Sequence, residues 1–335
     1  MLEVVLICVL LIVGLVLIIK GGDYFVDGAS WLAEVSGIPK VIVGATIVSV
    51  ATTLPEIVVS LITVKSSADA AIGNAVGSVV FNTGIIMAIA LIFQPFIIKR
   101  KDYAFKGILL SVVMTLLLIF PLVSVKGQKI ALSTNGLFGY VGAGVLLALF
   151  IVFIIENVIS AKREASNEDE QTVVKPLATK KSLTVNLLKL ILGAVAIGGG
   201  AILLKDNAVA LARIMGVSDA LIGVTILAIG TSLPELVTMI IAVKKGEASL
   251  GIGNIIGANT IDLAIILPLS TFLVGGAGLV VSGIHLFITL PTTLVIILIG
   301  IIPTLISKKF ARWQGILMAL IYLAYFVFNI VYVMI

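Results

Sequence analysis

Long apolar runs recur along the whole of this 335-residue chain, and they restrict its fold more than any other feature. Each run of about 18 or more residues is long enough to cross a bilayer core of about 30 Å. Backbone polar groups within lipid must be satisfied inside the segment itself, so these runs predict helices. The short alternating segments of a transmembrane β-barrel are absent from the sequence. The sequence therefore predicts an all-α polytopic membrane protein.

We interpret the apolar runs as ten transmembrane helices in two sets of five. The predicted spans cover approximately 2–20, 40–64, 69–94, 104–125, 135–160, 186–205, 219–243, 248–273, 280–306 and 312–334. The more polar segments 21–37 and 206–216 are expected to be helical extensions near the membrane interface. The hydrophilic stretch 161–184 is interpreted as a flexible cytoplasmic linker. It would join an N-terminal five-helix repeat, 1–160, to a C-terminal five-helix repeat, 185–335.

The two halves repeat the same polar motifs. Seven of thirteen positions are identical, without a gap, between residues 44–56 (GATIVSVATTLPE) and residues 223–235 (GVTILAIGTSLPE). Further along each half, residues 72–82 (IGNAVGSVVFN) correspond to residues 252–262 (IGNIIGANTID). Chance similarity between apolar helices interchanges Leu and Ile, but it does not reproduce Thr, Pro, Glu, Gly and Asn in order. The halves are therefore internal repeats.

The distribution of basic residues predicts the orientation of the repeats. With the N-terminus outside, the five loops on the cytoplasmic side contain sixteen Lys and Arg residues, and the four outer loops contain five. This difference follows the positive-inside rule. Because each repeat has an odd number of spans, the second enters the membrane from the opposite side. The prediction is a multi-pass protein of the cell membrane with inverted-topology repeats, an architecture that places ion sites near the midplane.

The composition argues against several other classes of function. Only 12% of the residues are charged, against about a quarter in soluble domains. The formal charge of +5 comes from short loops rather than from a basic surface, so no nucleic-acid partner is expected. The single cysteine, Cys8, lies in the first apolar run and excludes a Cys-based metal site. No cofactor and no protein partner are implied, and the lipid bilayer is the expected surroundings of the chain.

A Thr-Ser/Thr-Leu-Pro-Glu motif lies near the middle of one span in each half, ending at Glu56 and at Glu235. A charge at that depth costs on the order of 2.5–3.5 kcal/mol by insertion scales. No Lys or Arg is expected at comparable depth, so a cation from solution is the natural counter-charge. Pro55 and Pro234 each deprive a preceding carbonyl of its helical donor. Carboxylate, carbonyl and hydroxyl oxygens are the ligands that Ca²⁺ and Na⁺ prefer.

The following helix of each half supplies a second polar face. Residues Asn74, Ser78 and Asn82 are spaced by four and share one side of a helix, and Asn254, Ala258 and Asp262 repeat the spacing. Small-xxx-small glycine pairs in both helices are expected to press this face against the Pro-Glu helices. Asn259 is adjacent to position 258 but turned by about 100° on a helix, so it is not counted as a replacement for a hydroxyl at that position.

At these motifs the chain resembles the calcium/cation antiporter superfamily, and in particular its prokaryotic sodium/calcium exchangers. The resemblance implies that Glu56 and Glu235 hold Ca²⁺ together with the carbonyls of Thr52 and Thr231. It implies an outer Na⁺ position formed by Ser78, Ala228, Thr231, Ser232 and Glu56. It implies a mirror-related inner Na⁺ position formed by Ser49, Thr52, Thr53, Glu235 and position 258. A central position would involve Asn82 and Asp262.

The resemblance implies exchange of Na⁺ for Ca²⁺ by alternating access, with both ions competing for one cluster. Ala258 departs from the family pattern, because the family usually has serine there. A Ca²⁺/H⁺ antiporter and a K⁺-dependent Na⁺/Ca²⁺ antiporter therefore stay open as alternatives, with Asp262 as the acid concerned. An intramembrane enzyme is disfavoured, because no nucleophile–base pair or catalytic Asp dyad is evident. A channel would not require two mirror-related acidic sites.

Overall fold

The computed structural model describes residues 2–65, 67–95, 100–125, 131–168, 179–216 and 228–334. Most of these residues are helical. The α-helices are α1 (Leu2–Ser36), α2 (Lys40–Val43), α3 (Ser49–Thr63), α4 (Ala68–Phe81), α5 (Ala88–Phe93), α6 (Arg100–Ser124), α7 (Tyr140–Glu168), α8 (Lys180–Ile214), α9 (Ala228–Thr231), α10 (Leu233–Lys244), α11 (Ala248–Ile261), α12 (Leu267–Val274), α13 (Leu290–Ser307) and α14 (Arg312–Met334). Four π-helical segments join them: π1 (Gly44–Val48), π2 (Asn82–Met87), π3 (Asp262–Ile266) and π4 (His285–Thr289).

Nine helical segments in the described ranges are long and apolar enough to cross a membrane. They are Val4–Ser36, Lys40–Thr63, Ala68–Phe93, Tyr103–Ser124, Tyr140–Arg163, Lys180–Ile214, Ala248–Val274, His285–Ser307 and Arg312–Tyr332. Each overlaps one of the ten predicted spans. The remaining predicted span, 219–243, lies partly outside the described residues, and its described portion comprises α9 and α10. The prediction of a helical polytopic membrane protein is confirmed, and the count of ten stays a prediction.

The helices are longer than the sequence suggested at several ends. The segments 21–37 and 206–216 largely continue α1 and α8 without a break, up to Ser36 and Ile214. Helix also occupies both ends of the predicted linker, because α7 extends to Glu168 and α8 begins at Lys180. The hydroxyl of Thr179 accepts a hydrogen bond from the Ser182 amide at 3.1 Å, which caps the start of α8. Residues 169–178 of the predicted linker lie outside the described residues.

Glycines bring α1 and α8 into close contact. A Cβ atom added at Gly14 would lie 3.0 Å from the carbonyl oxygen of Gly200, and one added at Gly21 would lie 2.9 Å from that of Gly193. Small residues of this kind allow membrane helices to approach through their backbones. In the repeat alignment Gly14 corresponds to Gly193 and Gly21 corresponds to Gly200. The two contacts are therefore reciprocal, as a two-fold relation between the halves would produce.

The centre of the structure is formed by α3, α4 and α11 with the π segments that adjoin them. Every residue of α11 except Ser249 is buried. A helix that is enclosed on all sides can carry polar residues only where they find partners inside the protein. Because α11 carries the buried residues Asn254 and Asn259, we expect a polar site in the middle of the bundle.

Two short strands lie between helices near one end of the bundle. They are β1 (Gly136–Phe138) and β2 (Leu279–Val281), and they pair in antiparallel orientation with Leu137 opposite Val280. The hydroxyl of Tyr140 also donates to the Gly276 carbonyl at 3.1 Å. The loop before α7 and the loop before π4 are thus joined.

Candidate ion-binding site

The first predicted acid, Glu56, lies on the protein-facing side of α3. The buried residues of this helix share one face and are Ser49, Thr52, Thr53, Glu56 and Ser60. The opposite face is apolar and exposed, with Val50, Leu54, Val58 and Ile62. This division is typical of a membrane helix that faces lipid on one side. Glu56 is therefore directed into the protein.

The second acid, Glu235, lies in the first turn of α10 and is completely buried. Here the helix is interrupted: α9 ends at Thr231, and Ser232 adopts φ −87° and ψ 9° before α10 begins. Pro234 follows at the start of the new helix, where its missing N–H is tolerated. In contrast, α3 continues through Pro55 and is regular at Ser49 and Thr52. Within the described residues, the helix is thus interrupted at the Pro-Glu motif of the second half and continuous through that of the first.

Three buried carboxyl groups lie near one another. Glu56, Glu235 and Asp262 are almost fully enclosed, and Glu56 is close enough to the other two for their charges to interact. Both carboxyl oxygens of Glu56, both of Asp262 and Oε2 of Glu235 have no hydrogen-bond partner among the described residues. Oε1 of Glu235 accepts a hydrogen bond from the Thr53 hydroxyl at 3.3 Å. Buried carboxyl oxygens without donors are costly, so this cluster is suited to binding a cation.

Two hydrogen bonds across the halves are mirror images in the repeat alignment. The Thr52 hydroxyl donates to Oδ1 of Asn254 at 3.1 Å, and the Thr231 hydroxyl donates to Oδ1 of Asn74 at 3.3 Å. The Ser78 hydroxyl also lies 3.5 Å from that of Thr231. The predicted polar face of each following helix is therefore beside the Pro-Glu motif of the other half.

The central pair, Asn82 and Asp262, lies at equivalent positions where helix geometry changes. Asn82 is the first residue of π2, and Asp262 is the first residue of π3. Short π-helical turns inside α-helices are frequently found at functional sites. Both side chains are buried, and Oδ1 of Asn82 has no hydrogen-bond partner within the described ranges.

Asn259, which the helical angle turns away from position 258, contacts the central residue Asn82. Its Oδ1 accepts a hydrogen bond from Nδ2 of Asn82 at 3.1 Å, and its own Nδ2 donates to the Thr83 hydroxyl at 2.8 Å. The helical angle, which was used only to reject Asn259 as a replacement for a hydroxyl at position 258, did not predict these contacts, because α11 is surrounded by protein and every face has neighbours. The sequence did contain one signal for these contacts: Asn259 carries an amide at the position where the other repeat has the apolar residue Val79.

The predicted packing role of the glycines holds for one half only. A Cβ atom at Gly257 would contact Ser49 of α3 and the carbonyl of Ala45, and one at Gly253 would collide with the backbone of Val41. Gly77, in contrast, has no described atom within 4 Å of an added Cβ atom, and Gly73 meets only the ring of His285. Gly73 and Gly77 therefore line a cavity instead of forming a contact between helices.

A cavity of about 430 Å³ leads from the protein end near Asp69 and His285 to Asn74 and Thr231. We name it the Asp69 cavity. Lys205 also lines it, with its aliphatic chain against Gly230 and its Nζ atom 3.3 Å from Oδ1 of Asp206. Lys205 thus lies beside the second Pro-Glu motif, with its ammonium group next to Asp206. The sequence places it at the end of the predicted span 186–205, and hydropathy does not predict which helices it contacts.

The other predicted ligands are less fully defined. Ser49 is buried and its hydroxyl donates to the Thr46 carbonyl at 3.1 Å, while the buried hydroxyl of Ser232 has no partner in the described chain. The side chain of Ala228 lies outside the described residues. No group of three or more His, Cys, Asp and Glu side chains in the described ranges forms a metal site by itself. A bound cation would therefore also need carbonyl, hydroxyl or amide oxygens.

A family model described as "Sodium/calcium exchanger protein" matches residues 6–158 and 185–331. The chain belongs to this family. The two matched ranges cover most of both predicted repeats, and the resemblance inferred from the Pro-Glu motifs is confirmed. This exchanger is thus a membrane-embedded cation antiporter.

Individual relatives of the exchanger agree with the family. It is 27% identical to the sodium/calcium exchanger MaX1 of Methanosarcina acetivorans over 95% of its own length and 97% of that protein. It is 33% identical to the inner membrane protein YrbG of Escherichia coli, over 80% of each chain. Among solved structures, the sodium-calcium exchanger NCX_Mj soaked with Na⁺ and Sr²⁺ matches with a TM-score of 0.77 and 26% identity, over 96% of this chain and 98% of that one.

Proposed function

We propose that the protein exchanges Na⁺ for Ca²⁺ across the membrane by alternating access at one cluster around Glu56 and Glu235. The observation that carries the proposal is the group of buried carboxyl oxygens without donors, on Glu56, Glu235 and Asp262. Three such acids next to one another in a low-dielectric interior repel when ionised, unless cations or protons neutralise them. One Ca²⁺ balances two carboxylates, and Na⁺ ions can balance them one by one, so the two cargo ions would compete for the same oxygens.

The ligand set is the one that the family resemblance implies. Ca²⁺ would be held by Glu56 and Glu235 with the carbonyls of Thr52 and Thr231. The outer Na⁺ would use Ser78, Ala228, Thr231, Ser232 and Glu56. The inner Na⁺ would use Ser49, Thr52, Thr53 and Glu235. Asn82 and Asp262 would form the central position. All of these are oxygen donors, which suits hard cations.

The architecture would be ten spans in two inverted repeats, 1–160 and 185–335. The strand pair supports the count. Paired strands β1 and β2 lie on the same side of the membrane, so an even number of crossings must separate them. Three complete crossings between them are described: Tyr140–Arg163, Lys180–Ile214 and Ala248–Val274. A fourth is therefore expected in 219–243. The reciprocal contacts of Gly14 with Gly200 and of Gly21 with Gly193 support the repeat relation.

The access route in this conformation would be the Asp69 cavity. With the N-terminus outside, the loop before α4 and the loop before π4 lie on the outer side, so the cavity opens outward and ends at Thr231. On the inner side, Gly253 and Gly257 are in contact with π1, α3 and the end of α2. Such a difference between the two sides is what alternating access requires.

Coupling to H⁺ or K⁺ is the second candidate, and a specific residue favours it. Ala258 occupies the position equivalent to Ser78, so the inner Na⁺ position lacks one hydroxyl oxygen. A weaker inner Na⁺ position would make sodium coupling less efficient. Asp262 would then be the group that carries a proton or contacts K⁺.

The test is Ca²⁺ uptake into proteoliposomes under one imposed gradient at a time. An outward Na⁺ gradient alone should drive ⁴⁵Ca²⁺ uptake, and empty liposomes serve as the control. Uptake driven by a pH gradient at zero Na⁺ would replace the proposal with Ca²⁺/H⁺ exchange. A requirement for K⁺ together with Na⁺ would indicate the K⁺-dependent form, and no uptake under any gradient would reject Ca²⁺ antiport.

A further inference from the structure

Asn82 differs chemically from its mirror partner Asp262. A carboxylate presents an oxygen at either end, whereas an amide presents a carbonyl oxygen at one end and an NH₂ group at the other. If the NH₂ group of Asn82 faced the acidic cluster, it would donate to the carboxylates and place partial positive charge where a cation binds. The site therefore requires one of the two orientations of this amide.

A chain of hydrogen bonds selects that orientation. The Thr83 hydroxyl donates its single proton to the Val79 carbonyl at 2.8 Å, so its oxygen can only accept from Asn259. Asn259 must then turn its Nδ2 towards Thr83, at 2.8 Å, and its Oδ1 towards Asn82. This acceptor takes a hydrogen bond from Nδ2 of Asn82 at 3.1 Å.

The remaining atom of the Asn82 amide is Oδ1, which is buried and has no partner in the described part of the chain. Its segment π2 packs against α10, the helix that carries Glu235. We infer that Asn259, held by Thr83, is a positioning residue that keeps the carbonyl oxygen of Asn82 turned towards the transported cation. This inference rests on the proposed ion cluster.

The asymmetry of the repeats supports this role. In the repeat alignment, Asn259 corresponds to Val79 and Thr83 corresponds to Leu263. The two positions that would mirror this pair around Asp262 are therefore both apolar: Val79 in the first half and Leu263 in the second. A carboxylate has an oxygen at both ends, so Asp262 needs no neighbour to orient it. The orienting hydrogen bonds are found at the amide of Asn82.

Cation affinity in proteoliposomes tests the inference. Asn259→Leu and Thr83→Val should each raise the apparent KM for the transported cation about five- to tenfold, the effect of one oriented polar contact. The maximal rate should change less than the KM. Thr83→Ser keeps the hydroxyl and should behave as the unmodified protein. Because Thr83 acts through Asn259, the double variant Asn259→Leu/Thr83→Val should be no worse than Asn259→Leu alone.

The decisive comparison uses the Asn82→Ala background, where no amide remains to be oriented. There Asn259→Leu should have no further effect on the KM. An equal loss of affinity in both backgrounds would overturn the inference, because Asn259 would then act on packing rather than on Asn82. Normal affinity of both Asn259→Leu and Thr83→Val would overturn it as well. Parallel assays of Glu56→Gln and Glu235→Gln separate the outcomes, since full transport by these variants would reject the ion cluster itself.

Discussion

The two proposed sodium positions differ at two pairs of equivalent residues, Ser78 with Ala258 and Ala228 with Ser49. Ser78 lies 3.5 Å from the Thr231 hydroxyl, and Ala258, its counterpart, is completely buried with only a methyl group. Thr52, the counterpart of Thr231, donates to Asn254 just as Thr231 donates to Asn74. The two proposed positions therefore differ in where their hydroxyl groups lie, and single substitutions should shift the preference for Na⁺ without altering the fold.

Ala258→Ser should increase the apparent affinity for Na⁺ about fivefold, because it adds one oxygen worth about 1 kcal/mol beside Thr52. The dependence of Ca²⁺ exchange on Na⁺ concentration, measured in proteoliposomes, checks this. Ser78→Ala is the matched control and should weaken Na⁺ dependence by a similar factor. An unchanged sodium dependence in both variants would show that neither position contributes a ligand.

Lys205 places a positive charge beside the route that cations would take. Lys205→Met should raise the apparent affinity for cations that enter through the Asp69 cavity, by about threefold for Na⁺ and about tenfold for Ca²⁺. The effect is larger for Ca²⁺ because the Coulomb energy doubles with its charge, while Asp206 and solvent screen both. Initial uptake rates against concentration provide the measurement. Lys189→Met, on the same helix but away from the cavity, should change neither value, and equal effects of both substitutions would contradict a local role.

The positions of individual residues in the candidate site could be predicted from the sequence to different degrees. The repeated Pro-Glu motif was sufficient to predict that Glu56 and Glu235 lie inside the protein, since an acid in an apolar span must be compensated. Asn259 and Lys205 could not be placed in this way, because their roles depend on contacts between helices that are distant in sequence. Hydropathy gives the length of a span but not its neighbours.

At the scale of the elements, close contact between π1 and α11 holds the two halves together. A Cβ atom added at Gly44 would collide with the backbone of Leu250 and Asn254, and one added at Gly253 would collide with Val41. Neither backbone can move without disturbing the helices that carry Thr52 and Asn254. The glycine motif predicted this contact for the second half, but it did not predict that Gly73 and Gly77 line a cavity.

Gly44→Ala should destabilise the protein by about 1–3 kcal/mol, as expected for an overpacked contact, and should reduce transport. Gly199→Ala on α8 is the control, because no described atom lies within 4 Å of its added Cβ atom. Thermal unfolding in detergent and uptake in proteoliposomes check both variants. If the two substitutions had equal effects, the contact between π1 and α11 would not be the tight one described.

At the scale of the whole molecule, the long apolar runs were sufficient to predict a helical membrane protein with many spans. The number of ten spans, the repeat boundaries and the positive-inside orientation stay predictions from the sequence. The strand pair β1–β2, which links two loops on one side, was not predicted because three-residue strands have no clear hydropathy pattern. The longer helical ends were not predicted for a similar reason. Residues 161–168 are rich in charged residues, so hydropathy assigns them to a linker although they continue α7.

The proposed orientation is testable with single cysteines. In a Cys8→Ser background, Asn135→Cys, in the exposed loop before β1, should react with a membrane-impermeant maleimide applied to intact cells. Lys244→Cys, exposed at the end of α10, should react only after the membrane is permeabilised. The opposite pattern would show that the N-terminus is inside, and equal labelling of both would contradict the proposed number of crossings.

The central claim is that Glu56 and Glu235 bind the same transported cation. Sodium-gradient-driven ⁴⁵Ca²⁺ uptake by Glu56→Gln and by Glu235→Gln measures it most directly, with Glu34→Gln, at an exposed surface position, as the control. Each buried substitution should reduce uptake at least about thirtyfold, since removing one partner of a buried charge contact costs about 2 kcal/mol or more. Glu34→Gln should transport normally. Uptake close to that of the unmodified protein in either buried variant, with the variant correctly folded, would contradict the account.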